Sequence, residues 1–391
     1  MSVRPAQTVI LLAVAAASAL AQIENPGVPA DEFGVFIDAA EDVPTLAERI
    51  DAHFDSASVS RFLSMHMDYG NGKTRAAIAY ADEGSAGFAP RVLCLSEGDR
   101  DEIEVALNSA LNRATDPIDP ELCRFLYAEG KWRVLVAGLA DPSVGANEAR
   151  FVKESGSYLF GAAVDALIQD LADAGGQNPV DAAFSLDETE AKGLLLWTEG
   201  SSDREFRWLS AGASDATDLK DWFNDQIEDV PLDRIVSCQY DRNGGFEPPF
   251  GLGDVIPGYV YPFSEGQHYG GILACRDPAV VAATYAVYAA ADGSMTDLRN
   301  AIRSFLSANE GTVRPVSAGI GYSSGKTHAL IVCEQGAGFP GYTAVFAKDD
   351  GATGLRDDVM AYAATLGTRR IQAFAYCYGN GSNRALVVHE E

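Results

Sequence analysis

One serine and one lysine lie at a spacing that supports nucleophilic chemistry. Residues 323–326 read Ser-Ser-Gly-Lys, which is the S-x-x-K spacing of a serine nucleophile and a lysine base in one class of acyl-transfer enzymes. That chemistry needs the serine at the start of a helix and the lysine one turn later. Here the motif falls in a polar turn between two strand-like runs, so the sequence indicates a hairpin and assigns no catalytic residue.

Two Gly-Lys-Thr triplets, at residues 72–74 and 325–327, look like the end of a phosphate-binding loop. Such a loop begins with a glycine five residues before the second one and is followed by a helix. The chain has Met67 and Ile320 at those positions, and strand-like runs follow both triplets. A phosphate loop is therefore excluded.

The histidines carry no metal-binding spacing. No H-x-H or H-E-x-x-H pattern occurs, so no metal site and no cofactor is expected. Each histidine is expected to have a packing or surface role, while a Ser-His-Asp triad assembled from distant parts of the chain stays open because geometry defines it. The five histidines are His53, His66, His268, His328 and His389.

Two acidic turns, residues 292–294 (Asp-Gly-Ser) and 349–351 (Asp-Asp-Gly), precede predicted helices. Their spacing does not match an EF-hand loop. Asp and Ser immediately before a helix are ordinary N-caps, so we predict helix capping and no calcium.

The composition excludes two classes of partner. The 391 residues include 29 basic and 56 acidic side chains, giving a net charge of −27, and 47% are hydrophobic. The negative charge repels nucleic acid and anionic membranes, so neither is an expected partner. The hydrophobic fraction is sufficient for a sizeable folded core.

The N-terminus has the layout of a cleavable secretory signal over residues 1–21. Arg4 precedes an apolar run from Val9 to Ala17, and small residues stand at Ala19 and Ala21. The mature protein is expected to begin near Gln22 with a lead segment over residues 22–32. The predicted location is secreted and extracellular.

An even number of cysteines fits an oxidising compartment, so disulfides are predicted. If neighbouring repeats pair, the bridges are Cys94 with Cys123, Cys238 with Cys275, and Cys333 with Cys377. Six cysteines allow 15 connectivities, and the others stay open.

The last third of the chain contains two copies of one pattern, over residues 268–332 and 327–388. Each copy reads strand, strand, helix, strand, which predicts a repeat architecture. The same apolar helix face recurs six times along the chain, at Leu46, Ile50, His53 and Phe54; Ile103, Leu107, Ala110 and Leu111; Phe160, Val164, Leu167 and Ile168; Leu219, Phe223 and Ile227; Leu298, Ile302, Phe305 and Leu306; and Leu355, Val359, Tyr362 and Ala363.

The two ends of the chain are complementary. The N-terminal unit lacks a first strand, and the chain ends in one, so we predict an α/β fold of six strand-strand-helix-strand units. They close into a propeller-like ring in which the C-terminal strand completes the N-terminal unit. Closure would remove exposed sheet edges; an open solenoid is the alternative. The single repeat domain spans 33–391, with units 33–69 plus 383–389, 74–129, 131–188, 193–241, 268–322 and 327–378.

An insertion over residues 242–267, rich in Gly, Pro and aromatic residues, interrupts the fourth unit. Long loops on rigid scaffolds often carry function. Its aromatic residues would form a stacking surface for a glycan or a Gly-rich peptide; the alternative is that they anchor the loop to the ring. The candidate binding residues are Phe246, Phe250, Tyr259, Tyr261, Phe263, His268 and Tyr269.

The units resemble the bacterial tandem repeat family. The resemblance rests on the run beginning Arg314-Pro-Val-Ser, on Thr343-Ala-Val-Phe, and on the run beginning Arg370-Ile-Gln-Ala, and it covers most of residues 58–389. In that family the same kind of unit forms the N-terminal half of fungal polyglycine hydrolases. Catalysis there belongs to a separate β-lactamase-like domain, which these residues do not resemble, so the resemblance implies the fold and not the activity.

We therefore expect a secreted, non-catalytic binding or scaffold module that recognises an extracellular polymer or protein. The alternatives are a secreted serine hydrolase or peptidase related to polyglycine hydrolases, and a purely structural extracellular protein. Polar side chains with shifted pKa values in a cleft would favour the enzyme, and a flat aromatic patch would favour the binder.

Overall fold

The computed structural model describes most of the repeat region as small antiparallel sheets with a few helices. The described residues are 27–82, 89–114, 117–153, 169, 178–186, 191–199, 205–213, 216–229, 232, 234–242, 268–276, 283–323 and 325–391. Strand accounts for 56% of the structure, so the fold is mostly β. The predicted α/β class gave the helices too much weight, because each sheet has at least three strands while the described residues contain five helices.

Six sheets follow one another along the chain, and each is assembled from consecutive strands. Sheet 6 also contains the short strand β1 (Val28–Pro29). The other strands are β2 (Phe33–Ala40), β3 (Val59–Gly70) and β4 (Lys73–Asp82) in sheet 1; β5 (Pro90–Glu97), β6 (Ile118–Ala128) and β7 (Lys131–Ala140) in sheet 2; β8 (Asn147–Lys153), β9 (Asn178–Leu186) and β10 (Ala191–Thr198) in sheet 3; β11 (Glu205–Ala213), β12 (Arg234–Arg242) and β13 (His268–Arg276) in sheet 4; β14 (Thr284–Asp292), β15 (Val313–Ser323) and β16 (Lys326–Gln335) in sheet 5; and β17 (Tyr342–Asp349), β18 (Arg370–Gly379) and β19 (Ser382–Glu390) in sheet 6.

Five helices lie in the described residues, each between the first and second strands of its sheet. They are α1 (Val43–Phe54), α2 (Arg100–Leu111), α3 (Ala216–Asp229), α4 (Met295–Ala308) and α5 (Ala352–Ala364). Their predicted apolar faces are confirmed: Leu46 and Ile50 of α1, and Leu298 and Ile302 of α4, are fully buried. The predicted helix face at residues 160–168 lies outside the described residues. Every described helix is too short or too polar to cross a bilayer.

The strand order within each unit differs from the prediction. In the five units whose helix is described, the sheet forms from a strand, then the helix and then two further strands, and in all six units the last strand lies in the middle of the sheet. The C-terminal strand β19 pairs with β17 and β18, so the prediction that it completes the N-terminal unit was wrong. The two-residue Asn380-Gly381 turn explains this, because both residues have positive φ and such a turn joins adjacent antiparallel strands. The N-terminal end instead adds β1 to β18.

The second strands of the six sheets share a β-bulge. We call β3, β6, β9, β12, β15 and β18 the inner strands. Each has a register shift against its partner at an equivalent place. A bulge adds one residue and bends the strand. The extra residues are Leu63, Glu121, Val180, Val236, Val316 and Gln372.

The inner strands also contact one another in sequence. β3 contacts β6, β6 contacts β9, β9 contacts β12, β12 contacts β15, β15 contacts β18, and β18 contacts β3. The helices contact the first strand of their own sheet and that of the next: α1 reaches β5, α2 reaches β8, α3 reaches β14, α4 reaches β17, and α5 reaches β2 of sheet 1. Sheet 6 and sheet 1 are therefore neighbours in both layers.

Apolar cores lie between consecutive sheets. One cluster joins Ile50 and Met65 of the first unit to Leu135 of the second. The cluster between the last and first units is arranged in the same way: Val359 of α5 packs with Val35 and Ile37 of β2. The continuous apolar runs at 194–197 and 385–388 are buried along their whole length, so both faces of these strands are covered.

The predicted disulfides were wrong. The five cysteines with described side chains, Cys94, Cys123, Cys238, Cys333 and Cys377, are free and buried. Cys94 and Cys123 lie on opposite sides of β7, about 10 Å apart across two strand spacings, beyond disulfide reach. Cys238 pairs opposite Ile272, three residues from Cys275. Cys333 lies opposite Pro315, which precedes the bulge of β15, whereas Cys377 lies five residues after the bulge of β18. The two cysteines therefore stand at different positions along their sheets.

Candidate ligand-binding cavity

A cavity of about 220 Å³ lies where all six inner strands meet. Each inner strand contributes to its lining, and most contributions come from the third and fifth residues after the bulge. We call this space the central cavity. Its lining includes His66, Arg124, Ser185, Gln239, Gly321 and Tyr376, one from each strand.

Side chains from the next sheet cap the edge N–H groups of the inner strands. Tyr127 N–H of β6 donates to Ser185 Oγ of β9 at 2.9 Å. Tyr378 N–H of β18 donates to Asp68 Oδ2 of β3, also at 2.9 Å. Ser185 and Asp68 are both the fifth residue after their bulges, so the same bond recurs between sheets 2 and 3 and between sheets 6 and 1.

A second set of caps uses the residue directly after the bulge. Cys123 N–H donates to Asp181 Oδ2 at 2.8 Å, and Cys238 N–H donates to Ser317 Oγ at 3.0 Å. These contacts satisfy backbone groups that would otherwise be left open at a sheet edge.

Arg124 is held in the central cavity by a buried ion pair. Its Nη1 lies 3.0 Å from Asp181 Oδ2 and donates to Cys123 O at 2.5 Å. Both charged side chains are at most 5% exposed. Burial raises the pKa of Asp181, while Arg124 and two backbone N–H groups oppose that rise.

Two titratable groups of the cavity have strongly shifted pKa values. Burial, with a smaller contribution from the Arg124 charge, lowers the pKa of His66 to about 3. Burial raises the pKa of Asp68 to about 6, against the opposing effects of two N–H donors and of Arg75. His66 is therefore neutral at pH 7, and Asp68 changes charge in mildly acidic solution.

Cations stack on tyrosines around one end of the cavity. The Arg75 guanidinium lies 3.5 Å from the ring centroid of Tyr378 in the preceding sheet, and Lys192 Nζ lies 4.0 Å from that of Tyr127. The same contact joins sheets 1 and 2 and sheets 5 and 6, through Arg133 with Tyr69 and Arg384 with Tyr322. A larger cavity of about 400 Å³ lies at the bulge end of β3, β6, β9 and β12, and its lining combines apolar residues with the charged residues Arg61, Glu121 and Arg234.

The structure does not describe most of the predicted binding residues. Phe246, Phe250, Tyr259, Tyr261 and Phe263 lie outside the described residues. His268 and Tyr269 begin β13, opposite Ala213 and Gly212 of β11, and their side chains are outside the description.

The S-x-x-K motif lies at a hairpin, as predicted. Ser323 ends β15 and Lys326 begins β16. Ser323 Oγ lies 3.1 Å from His328 Nε2, but both residues are buried and neither lines the central cavity. The predicted helix cap at Ser294 is confirmed, since its side chain accepts from Asp297 N–H. The cap predicted at 349–351 was wrong, because the N-cap residue there is Gly351, which has no side chain to accept a bond.

Histidine partners support mostly structural roles. His53 Nε2 lies 2.8 Å from the Tyr80 hydroxyl, and His389 Nε2 lies 2.7 Å from the Tyr362 hydroxyl. His66 differs because it lines the central cavity, 3.3 Å from Phe374 O.

The sequence did not reveal the polar lining of the cavity, because each strand supplies only one or two of its residues. A usable signal existed in the Pro-x-x pattern at residues 120–122, 179–181 and 315–317. Proline is confined to strand edges and bulges, so aligning the units on it would have placed Arg124 and Ser185 at cavity positions.

Comparison with known proteins gives no further identification: no family model, no curated protein and no solved structure matches this chain. The resemblance to the tandem repeat family stays a prediction.

Proposed function

We propose that this chain is a secreted, non-catalytic binding or scaffold module whose six sheets close into a propeller-like ring around the central cavity. The observation that carries the proposal is that all six inner strands line this cavity, and that β3, β6, β9 and β12 contribute the polar side chains of His66, Asp68, Arg124, Ser185 and Gln239. Recognition sites commonly combine a cavity with a few converging polar groups. The proposed ligand is a small group or chain end of an extracellular polymer or protein, because about 220 Å³ cannot admit a folded partner.

Closure of the ring is supported by three kinds of contact between sheets 6 and 1. The inner strands β18 and β3 touch, α5 packs on β2, and Tyr378 N–H donates to Asp68. Each has a counterpart between sheets that are adjacent in sequence. Secretion rests on the pattern of residues 1–21.

A second candidate function, hydrolysis, is favoured by one observation: a buried carboxyl group in the cavity with a pKa of about 6. Such a group suits general acid-base chemistry. However, both oxygens of Asp68 accept backbone N–H groups, from Tyr69 at 2.7 Å and from Tyr378. Ser185 has the same capping role, which favours binding over catalysis.

Binding at the cavity is tested with a filled variant. Gly321 is the fifth residue after the bulge in β15. Leu126 occupies the same position in β6, so we expect the fold to tolerate Gly321→Leu. The matched control is Gly98→Leu, at an exposed glycine whose added Cβ meets no atom within 4 Å. Ligands are screened by thermal shift and ligand-observed NMR, with glycan oligomers, peptides and small organic acids.

We expect at least one ligand to bind the wild type and Gly98→Leu but not Gly321→Leu. A ligand retained by Gly321→Leu, and lost when residues 243–267 are replaced by a short Gly-Ser turn, would overturn the cavity proposal in favour of the insertion. Turnover of a bound ligand that Asp68→Asn abolishes would favour the hydrolase.

A further inference from the structure

Arg124, Ser185 and Gln239 line the central cavity on neighbouring inner strands, and each has hydrogen-bond donors that its bonds within the described residues do not use. Arg124 uses Nη1 for its bonds to Asp181 and Cys123, and its Nη2 and Nε make no bond within the described part of the chain. Arg124 is 4% exposed and lines the central cavity. Its remaining donors therefore face the cavity.

Ser185 and Gln239 have their acceptors occupied. Ser185 Oγ accepts from Tyr127 N–H at 2.9 Å, and Gln239 Oε1 accepts from Phe184 N–H at 3.4 Å. These bonds leave the Ser185 hydroxyl hydrogen and the Gln239 NH₂ group as donors, since a hydroxyl and an amide each offer both functions. One wall of the cavity, formed by β6, β9 and β12, thus presents donors.

The charge of the cavity limits what this wall can bind. The positive charge of Arg124 is balanced by Asp181, and the carboxylate of Asp68 stands on the wall formed by β3. A dianion such as phosphate would meet an excess of negative charge, whereas a monoanion with two acceptor oxygens matches the guanidinium fork.

We propose that the donor wall formed by Arg124, Ser185 and Gln239 binds a carboxylate group of a small ligand or of a peptide C-terminus. This inference rests on the proposed function, because it names the ligand class of the same cavity. The two oxygens of a carboxylate accept the remaining N–H donors of the Arg124 guanidinium, and the Gln239 NH₂ group and the Ser185 hydroxyl each add a further bond.

Asp68 makes this binding depend on pH. Burial raises its pKa to about 6, so lowering the pH from 7 to 5 removes the charge that repels the ligand. The other charged and titratable groups around Asp68 are His66, Tyr69, Arg75, Arg124, Tyr376, Cys377 and Tyr378. The pKa of His66 is about 3, and burial raises those of Tyr376 and Cys377, so none of these three titrates between pH 5 and 7.

The test compares propionate with propionamide by isothermal titration calorimetry. The amide has the same shape without the charge. Gln239→Glu keeps the acceptor for Phe184 N–H while removing the donors and adding a negative charge. Gln335→Glu makes the same change at an exposed strand end and serves as the matched control. Trialanine and its C-terminal amide form a second arm, which distinguishes a peptide end from a free acid.

We expect propionate to bind at least tenfold more tightly than propionamide, and its affinity to fall at least tenfold in Gln239→Glu but not in Gln335→Glu. Affinity should rise at least threefold from pH 7 to pH 5.5, where propionate is still mostly ionised, in the wild type and stay level in Asp68→Asn. Tighter binding of trialanine than of its amide would assign the carboxylate to a peptide end, and binding of propionate alone to a free acid.

Two results would overturn the carboxylate inference. One is equal affinity for propionate and propionamide. The other is propionate binding that Gln239→Glu and Gly321→Leu both leave unchanged, because the ligand would then bind elsewhere. If a neutral ligand binds the wild type and is lost in Gly321→Leu, the carboxylate inference fails while the proposed function stands. If no ligand depends on Gly321, both fail.

Discussion

Two junctions of this molecule use the same bond at very different separations along the chain. Between sheets 2 and 3, Tyr127 N–H donates to Ser185, 58 residues away. Between sheets 6 and 1, Tyr378 N–H donates to Asp68, 310 residues away, at the same distance of 2.9 Å. The capping group is a neutral hydroxyl at the first junction and a buried carboxyl at the second.

The difference teaches how the ends of the chain are joined. We call the contact between sheets 6 and 1 the terminal junction and that between sheets 2 and 3 the internal junction. Both have the same capping bond and a cation on a tyrosine ring, so the repeat itself provides the complementary surfaces. Bringing distant ends together costs loop-closure entropy, but that cost grows only slowly with length. The capping bond of the terminal junction differs because its acceptor, Asp68, titrates, so the strength of that bond depends on pH, whereas the bond from Tyr127 to the Ser185 hydroxyl does not.

Removing the ion pair should weaken the internal junction most. Asp181→Ala leaves the Arg124 charge buried without its partner, and we expect a loss of about 3–5 kcal/mol in the free energy of unfolding. Chemical denaturation measures this value. If the variant does not fold, the double variant Arg124→Met, Asp181→Leu should recover most of the stability, because an apolar pair has no charge to desolvate. Wild-type stability for Asp181→Ala would contradict this account.

Acid should strengthen the terminal junction. The Asp68 pKa is about 6 in the folded protein and 3.8 in the unfolded chain, so the folded state binds the extra proton between these values. Stability therefore falls as pH rises from about 4 to about 6, by up to roughly 3 kcal/mol relative to Asp68→Asn. His66 acts in the opposite direction, because its pKa is lowered, but it is present in both proteins and cancels in the difference.

Denaturation curves of the wild type and Asp68→Asn at several pH values measure this difference. A stability difference that stays constant between pH 4 and 6.5 would show that Asp68 does not titrate at the junction.

The neutral cap should be weaker and independent of pH. Ser185→Ala leaves Tyr127 N–H without its acceptor, at an expected loss of about 1–3 kcal/mol. Urea denaturation of Ser185→Ala at pH 5 and pH 7 should give the same loss. A loss that changes between these pH values would remove the contrast with Asp68.

The stacked cations should contribute least, and equally at the two junctions. Arg75→Met and Lys192→Met each remove one cation from a tyrosine face, for an expected loss of about 0.5–2 kcal/mol. Thermal denaturation of both variants side by side measures the two losses. Arg75 also donates to Gly70 O and Lys73 O of its own hairpin, so Tyr378→Leu and Tyr127→Leu, which remove the rings, are compared as controls. A much larger effect at both Arg75 and Tyr378 would mean that the terminal junction depends on contacts that the internal one lacks.

Periodicity predicted the local structure but not its assembly. The apolar spacing identified the described helices because this signal is local. The Gly turns at 71–72, 129–130 and 380–381, where both residues have positive φ, mark hairpins in an equally local way. The predicted units each began one strand too early, because the sequence does not show whether the second strand of a hairpin belongs with the strand before it or with the unit that follows. The cysteine count suggested bridges, but register alone decides whether two sulfurs meet, and it keeps Cys94 from Cys123.

The cavity could not be predicted from any single segment. Arg124 and Asp181 are 57 residues apart, and His66 meets Phe374 across 308. Only the bulge, repeated in each inner strand, relates these positions, and its signal in the sequence is limited to three prolines.

The most direct test of the closed ring is a pair of distances measured by pulsed dipolar spectroscopy between spin labels. One pair, Lys73→Cys with Glu129→Cys, spans sheets 1 and 2; the other, Lys73→Cys with Asn380→Cys, spans sheets 1 and 6. All three sites are exposed at equivalent hairpin ends, and singly substituted proteins control for labelling of native cysteines. A closed ring predicts similar, narrow distances for both pairs. A much longer or broad distance for the second pair would mean that the array is open and that sheet 6 does not meet sheet 1.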